Sequence, residues 1–153
     1  MDGNPSKMND DNIKDDWSTT VRFAGDSGDG IQLTGGRLTF EAAISGMGLA
    51  TFPDYPAEIR APAGTTFGVS SFQVRFGEGL IASSGDHADI LVAMNPAALK
   101  VNIKEVIPGG LIIIDSSSFN DRGIKKAGYR ENPLNNNSLA GLQLISTDIS
   151  HLT

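Results

Sequence analysis

The sequence predicts an α/β domain with an open, mostly parallel sheet and helices on both faces. Strand-like and helix-like segments alternate along the chain, and two strands are apolar runs of the kind buried on both faces. A glycine-rich junction joins the first strand to the first helix, as in Rossmann-like folds. At 153 residues, the chain has the size of one domain.

The amino-terminal part begins with a polar segment. Residues 1–18 are rich in Asp, Asn and Lys and almost free of apolar positions, which predicts a disordered tail. A single domain then extends over residues 19–153. It starts with a strand at Thr19–Ala24 and continues with a helix from Ile31 to about Met47, where apolar residues recur at helical spacing.

From the first helix to the third strand, glycines and prolines interrupt the predicted elements. Gly35 and Gly36 each cost the helix about 1 kcal/mol relative to Ala, which predicts either unusually close packing or an irregular start. LATF is a second strand, and the prolines of PDYPAEIRAPAG predict a structured loop after it. TTFGVSSFQVRFGE is a third strand with one strongly apolar side.

The carboxyl-terminal half contains a strand–helix–strand unit of the kind that builds parallel sheets. ADILVAMN is the strand, PAALKVNIKEVIPGG is a helix with Pro96 in its first turn, and LIIIDSS is the next strand. The polar segment that follows is predicted as a loop, and GLQLIST as a last strand. Because the chain stops just after that strand, we expect it to be truncated from a longer subunit.

Composition excludes several classes of protein. Twelve basic residues against 18 acidic ones give a net charge of -6, which disfavours nucleic acid as a partner. The absence of cysteine excludes disulfides and iron–sulfur ligation in this chain, and with only two histidines no metal site is predicted. No apolar run or basic amino terminus indicates a membrane span or a signal peptide, so we expect a cytoplasmic location.

Glycine is over-represented, at 18 of 153 residues, and part of the excess lies at the junction between the first strand and the first helix. The candidate binding residues there are Gly25, Asp26, Ser27, Gly28, Asp29 and Gly30. Such a junction exposes backbone N–H groups and the positive end of the helix dipole, which favours an anion. The order G-x-x-G-x-G, however, is neither the dinucleotide fingerprint G-x-G-x-x-G nor a P-loop.

The two acidic residues of this segment leave its role open. Asp26 and Asp29 would repel a phosphate unless each carboxylate faces away, caps the helix or meets a metal. In the alternative interpretation, the glycines only allow a tight turn and close packing, and Asp29 is the N-cap of the helix.

Four further residues are candidates on position alone. Asn95 follows a strand at the edge where open α/β sheets bind ligands, although an N-cap role is equally natural. Asp54 is either the ribose-binding acid of a nicotinamide fold or a solvated loop carboxylate. Glu58 and Arg60 pair with each other, with a neighbouring chain or with a carboxylate ligand. Residues 116–118 are serines without a partner histidine at a recognisable spacing, so no catalytic residue is predicted.

Four motifs, taken together, resemble a known family. They are VRFAGDSGDGIQLTGGRL, DYPAEIRAPAGTTFGVSSFQVRF, DILVAMNPAAL and GGLIIIDSS. They resemble the gamma domain of 2-oxoacid:ferredoxin oxidoreductases, in the form fused to the amino terminus of the alpha subunit in 2-oxoglutarate-type enzymes. The resemblance covers Thr20 to Ser118, with weaker support to Thr147. The family signature G-x-G-G-Q-G has Ser27 and Asp29 at its third and fifth positions here, as in the G-x-S-G-D-G variant.

This resemblance implies a role within a larger enzyme. Enzymes of the family decarboxylate a 2-oxoacid on thiamine diphosphate, pass electrons through iron–sulfur clusters to ferredoxin, and transfer the acyl group to coenzyme A. By resemblance, residues 25–30 face the coenzyme A cleft, and PAEIRAP, with Glu58 and Arg60, lies near that cleft or at a subunit interface. The isolated domain is then inactive and holds no cofactor alone, although coenzyme A can reach its glycine segment.

The resemblance also assigns the other components to other chains or domains. Thiamine diphosphate, Mg and the iron–sulfur clusters belong elsewhere in the complex. The partners are the remaining alpha-subunit domains and the beta subunit, with ferredoxin reached indirectly. Two alternatives stay open: a free-standing Rossmann-type dinucleotide-binding enzyme, suggested by the strand–glycine–helix start and Asp54, and an interaction scaffold in which the glycines form only a turn.

Overall fold

A computed structural model describes residues 17–26, 28–54, 69–83 and 85–152. The strands are β1 (Ser18–Asp26), β2 (Gly48–Asp54), β3 (Val69–Gly77), β4 (Ala88–Ala93), β5 (Val106–Asp115) and β6 (Gln143–Thr147). The helices are α1 (Ile31–Ile44), α2 (Pro96–Asn102), α3 (Asp121–Lys126) and α4 (Ile149–Leu152). The strands form one sheet in the order β2-β3-β1-β4-β5-β6.

The pairing of the strands confirms an α/β fold with a mostly parallel sheet. β4 pairs in parallel with β1 and with β5, and β6 pairs in parallel with β5. The difference from a fully parallel sheet is β3, which is antiparallel to both β1 and β2. The sequence predicts no helix between the second and third strands, and consecutive strands without a crossover helix pair antiparallel.

Helices cover both faces of the sheet, as predicted. On one face, Val21, Phe23 and Ile31 form a buried cluster between β1 and α1. On the other face, the apolar runs of β4 and β5 place Leu91 and Ile112 in a larger cluster with residues of α2 and α3. Two-sided burial explains why these strands are nearly continuous apolar runs.

The two glycines within α1 have different environments. A methyl group at Gly35 would collide with the ring of Phe72 on β3, so the absence of a side chain lets α1 lie close to the sheet. A methyl group at Gly36 would meet no atom within 4 Å in the part of the chain that the structure describes. The predicted close packing is therefore confirmed for Gly35 and absent at Gly36.

The segment after β5, predicted as a loop, contains the helix α3. Asn120 caps it by accepting a hydrogen bond from the Gly123 backbone N–H at 2.9 Å, and Lys125 and Lys126 lie in its last turn. Only Ile124 of its six residues is buried. The prediction of a loop was wrong. A single buried residue leaves no periodic apolar pattern from which this helix could be recognised in the sequence.

Several element boundaries also differ from the predicted ones. β1 starts at Ser18 and continues through Asp26, so the first two residues of the glycine-rich segment belong to the strand. Trp17 precedes it and contacts Phe76 edge to face, with ring centroids 6.2 Å apart. The rest of the predicted tail lies outside the described residues. β2 includes Pro53, which an edge strand tolerates.

Candidate functional site

The predicted binding residues converge at the edge of the sheet where β1, β4 and β5 end. The turn between β1 and α1 lies beside the turn between β4 and α2, because the Met94 N–H donates to the carbonyl of Ala24 at 2.9 Å. The first turn carries the described part of Gly25–Gly30, and the second carries Asn95. Open α/β sheets bind ligands at this edge.

Asp29 closes the first turn rather than capping α1. Its Oδ2 accepts a hydrogen bond from the Asp26 backbone N–H at 2.7 Å, and its own N–H donates to the Asp26 carbonyl at 3.0 Å. The N-cap of α1 is Gly30, with φ 71° and no side-chain cap. The interpretation of Asp29 as the N-cap is therefore wrong, because its carboxylate turns back toward the end of β1.

Asn95 joins the two turns. Its Oδ1 accepts a hydrogen bond from the Ala98 N–H at 2.8 Å, so the predicted N-cap role is confirmed for α2. Its Nδ2 donates to Oδ1 of Asp26 at 3.2 Å. Asp26 and Asp29 are thus both engaged within the two turns, and neither carboxylate caps the start of α1.

The described glycines of the segment serve different purposes. A Cβ at the buried Gly25 would lie 2.7 Å from Oδ2 of Asp29 and 3.0 Å from Cβ of Met94, so this position requires glycine for packing. Gly30 requires it for its positive φ. A Cβ at Gly28, by contrast, would meet no atom of the described residues within 4 Å. Gly28 therefore leaves open space beside the helix, while Ser27 lies outside the described residues.

The start of α1 is suited to a polar ligand group. The helix has 14 residues and no acidic residue in its first turn. The first N–H groups of a helix have no intrahelical partner and carry the positive end of its dipole. Among the described residues no side chain caps them.

A cavity of about 460 Å³ adjoins the start of α1, within the range of small-molecule sites. Its lining residues are Phe23, Gly28, Asp29, Ile31, Thr34, Val92, Met94, Ile113, Ile149 and Ser150. Apolar side chains from the sheet form its floor. None of the described lining residues is basic, and the polar side chains among them are Asp29, Thr34 and Ser150.

Asp115, at the end of β5, holds the far wall of this cavity and was not predicted. Its Oδ1 accepts from the Ile149 N–H at 3.0 Å, and its Oδ2 accepts from the Ser150 hydroxyl at 2.6 Å. The hydroxyls of Ser117 and Ser118 donate to the same carboxylate at 3.0 and 3.3 Å. Asp115 thereby fixes the start of α4. Its place at the carboxyl end of a buried strand was the signal available in the sequence.

The charge state of Asp115 follows from these contacts. Burial raises the pKa of its carboxyl group, but the hydrogen bonds from Ser150, Ser117 and Ser118 lower it more, so the pKa lies below its ordinary 3.8. Ser117 and Ser118 thus have a structural role, which explains their presence without a catalytic triad.

Of the remaining predicted residues, only Asp54 lies within the described residues, and it does not line the cavity. Asp54 ends β2, which is separated from β1 by β3, so the backbone of Asp54 lies about 10 Å across the sheet from β1. Glu58 and Arg60 lie outside the described residues. Within the described ranges, no group of three or more His, Asp or Glu residues is arranged to hold a metal ion. No helix in this part of the chain is long and apolar enough to cross a membrane.

The fold and this edge define an open-sheet α/β domain with a candidate small-molecule site at the carboxyl ends of its strands. The chain belongs to the pyruvate ferredoxin/flavodoxin oxidoreductase family, which it matches over residues 20–153. It is 52% identical over 136 residues to the 2-oxoglutarate oxidoreductase subunit KorA of Mycobacterium tuberculosis. The match covers 89% of this chain and 21% of KorA, so the chain spans about a fifth of that relative's length.

Solved structures show the same fold. A 2-oxoglutarate:ferredoxin oxidoreductase from Magnetococcus marinus, with 2-oxoglutarate, coenzyme A and succinyl-CoA bound, matches with a TM-score of 0.66 and 25% identity, over 88% of this chain and 20% of that one. The pyruvate oxidoreductase subunit PORC from Thermotoga maritima matches with a TM-score of 0.59 and 16% identity, over 88% and 64% of the two chains. A keto/oxoacid ferredoxin oxidoreductase gamma subunit from Geobacter sulfurreducens matches with a TM-score of 0.56 and 22% identity, over 86% and 62%.

Proposed function

We propose that this chain is the gamma-type domain of a thiamine-dependent 2-oxoacid:ferredoxin or acceptor oxidoreductase, and that 2-oxoglutarate is the substrate. Within that enzyme it contributes one wall of the coenzyme A cleft and part of the subunit assembly. Family membership and 52% identity to KorA support this proposal. The coenzyme A bound in the Magnetococcus enzyme supports the choice of ligand.

The observation that carries the proposal is the open space at the start of α1. No atom of the described residues lies within 4 Å of a Cβ built at Gly28, and none of their side chains caps the helix at Gly30. Gly28 and Ile31, the first residue of α1, both line the cavity. Backbone N–H groups at this position offer hydrogen bonds to a bound ligand at no steric cost. Together, the helix start and the mostly apolar cavity suit a ligand that has both polar and apolar parts.

The proposal gives this chain no catalytic residue. Thiamine diphosphate, Mg and the iron–sulfur clusters would be held by other domains or subunits, and this chain's residues would bind and orient coenzyme A. Residues 19–153 would form one domain of a longer alpha subunit that assembles with a beta subunit in the cytoplasm and reaches ferredoxin indirectly. Glu58 and Arg60 would lie at the partner interface.

Two physical arguments make the dinucleotide-binding alternative weaker. The glycine order G-x-x-G-x-G puts glycine at the packing position 25 and the turn position 30, rather than in the spacing that cradles a pyrophosphate. In addition, β3 separates β2 from β1, which moves Asp54 away from the position of a ribose-binding acid.

The test uses the full-length subunit that contains this chain, assembled with its partner subunit. A Gly28→Val substitution places a side chain in the open space, so we expect coenzyme A to bind about tenfold more weakly or worse by calorimetry, with assembly intact. Gly36→Val is the matched control, because that glycine also has open space around it but lies on the outer side of α1.

The results separate the three hypotheses. Loss of affinity in Gly28→Val alone supports the proposal. Unchanged coenzyme A binding by both variants would contradict it, and binding of NADH by the unmodified complex would favour the dinucleotide enzyme. Misfolding of Gly28→Val in thermal unfolding would favour the scaffold, in which the glycine serves only the turn.

A further inference from the structure

We infer that the outer face of α1 is an interaction surface for a second copy of this chain, whose own α1 packs against it in antiparallel orientation. The inference goes beyond the proposed function, because it concerns assembly and involves neither the cavity nor coenzyme A. Three features of α1 support it: an apolar face turned away from the sheet, the symmetric spacing of that face, and the arrangement of the two charged residues beside it.

The outer face of α1 is apolar, although the exposed side of a helix on a sheet is usually polar. Leu33, Phe40 and Ile44 are 65%, 63% and 65% exposed. Because an α-helix has 3.6 residues per turn, they lie on the side opposite to Gly35 and Ala42, which are buried. Large apolar side chains grouped on one exposed face are typical of an interaction surface.

The spacing along this face is that of a seam between two helices. The seam of α1 consists of four residues separated by four, three and four positions, namely Leu33, Arg37, Phe40 and Ile44. This alternation is found where one helix packs along another. At a rise of about 1.5 Å per residue, the seam is about 16 Å long. A partner that covers it must present an extended apolar element of similar length, as another helix does.

The seam has the same spacing in both directions, which favours a second copy of this chain over an unlike partner. In an antiparallel pair with a two-fold axis at the middle of the seam, Leu33 of one copy lies level with Ile44 of the other. Arg37 lies level with Phe40 of the other copy. Apolar residues therefore meet at both ends of the pair, and in its centre each guanidinium meets an aromatic ring, which it contacts favourably.

The two charged residues of the face complement each other in the same arrangement. Arg37 of the second copy is level with Phe40, one residue from Glu41, so it is offset from Glu41 by only about 1.5 Å along the axis. Arg37 and Glu41 flank the same edge of the seam, and the two-fold axis keeps that edge together in the pair. Opposite charges thus face each other twice. A parallel pair would instead place two Arg37 side chains at one level, where they repel.

The test is disulfide cross-linking in the complex assembled from the full-length subunit that contains this chain. In a Leu33→Cys/Ile44→Cys variant, mild oxidation should link position 33 of one copy to position 44 of the other, and mass spectrometry should identify the linked peptides. Either substitution alone should give no link between copies. The two positions 33 lie about 16 Å apart along the pair, whereas a disulfide joins Cα atoms less than about 7 Å apart. The same limit excludes a link within one helix.

Gln32→Cys/Ser45→Cys is the matched control. Gln32 and Ser45 are exposed and also lie level with each other in the antiparallel pair, but they are off the seam. Random collisions between complexes would link these positions as readily as positions 33 and 44. Packing along the seam leaves them unlinked.

A Phe40→Arg substitution tests the same contact by charge. Added to the Leu33→Cys/Ile44→Cys variant, it places a second guanidinium against Arg37 of the other copy, so the link between positions 33 and 44 should fall to the level of the control. Phe40 is 63% exposed, so the melting temperature in thermal unfolding should be almost unchanged.

Three results would overturn the inference. One is the absence of a link in the Leu33→Cys/Ile44→Cys variant with both thiols open to a maleimide reagent, and another is equal linking in the control. The third is protection of both thiols from the reagent without a link, which would mean that another domain or subunit covers the face. None of these results depends on the binding of coenzyme A, so failure of the inference is distinguishable from failure of the proposed function.

Discussion

At the end of β5, one buried carboxylate collects hydrogen bonds from three serine side chains and from the start of α4. Asp115 is 1% exposed, yet its hydrogen bonds more than offset the burial of its charge and hold its pKa below 3.8. Hydrogen bonds to a charged group are stronger than those between neutral groups. The residue therefore stabilises the fold and fixes one wall of the candidate site.

Replacing this carboxylate should cost stability in a pH-dependent manner. Asp115→Asn keeps the size of the side chain but removes the charge and places N–H groups against donors, so we expect a loss of about 2 kcal/mol in the free energy of unfolding at pH 7. A folded-state pKa below 3.8 means that the wild-type advantage is complete above about pH 5 and is lost as the pH falls through that pKa.

Urea unfolding of the wild type and of Asp115→Asn, at several pH values between 7 and 3, measures this difference in the free energy of unfolding. Asp86→Asn, at an exposed position, is the control and should change the free energy of unfolding by less than about 0.5 kcal/mol at pH 7. A difference between wild type and Asp115→Asn that grows toward pH 3 would contradict the assigned charge state.

From the sequence, the location of the candidate site could be predicted better than the hydrogen-bonding roles of its residues. Strand and helix patterns around Gly25–Gly30 and Asn95 were enough to place them at one edge, because parallel strands end together. The direction of the Asp29 carboxylate could not be predicted, since an Asp before a helix can cap it or close the preceding turn. Asp115 was missed because its partners Ile149 and Ser150 are more than 30 residues away in sequence.

Among the elements, α1 shows how glycine can be required at one position and dispensable at the next. Gly35 is buried against Phe72 of β3, and Gly36 has open space around it. Both lie within the same helix, so their intrinsic helix propensities are equal. Only the packing against the sheet distinguishes them.

Alanine substitution should therefore have opposite effects at these two positions. Gly36→Ala should raise the free energy of unfolding by about 0.5–1 kcal/mol, because alanine restricts the unfolded chain and favours the helix. Gly35→Ala should lower it by about 1–3 kcal/mol, because the added methyl group forces α1 away from Phe72. Equal effects in denaturant unfolding would mean that α1 does not pack closely on β3.

Element prediction succeeded where a hydrophobic pattern extended over several turns or alternated along a strand. Each of the six strands overlaps a predicted strand, and α1 and α2 overlap predicted helices. The prediction was wrong for residues 106–110, which were assigned to the second helix, because α2 ends at Asn102 and β5 starts at Val106. The short α3 was missed because its stability comes from the Asn120 cap, its terminal charges and one buried isoleucine rather than from a periodic apolar face. The antiparallel pairing of β3 with β1 is a long-range feature that no local pattern specified.

For the whole molecule, the fold places an uncapped helix start and an apolar cavity at one edge of a mixed sheet. The described glycines at this edge differ in role, with packing at Gly25, turn formation at Gly30 and open space at Gly28. The chain belongs to the pyruvate ferredoxin/flavodoxin oxidoreductase family. The central claim is that the edge binds coenzyme A rather than a nicotinamide dinucleotide.

Backbone amide hydrogen exchange at the start of α1, measured on the assembled complex with saturating coenzyme A or NADH, tests this claim most directly. The N–H groups of residues 31–33 have no intrahelical partner, so a ligand bound there should slow their exchange markedly. We predict that coenzyme A slows exchange at these residues and that NADH leaves their exchange rates unchanged. Protection by NADH, or unchanged exchange when coenzyme A saturates the complex, would contradict the account.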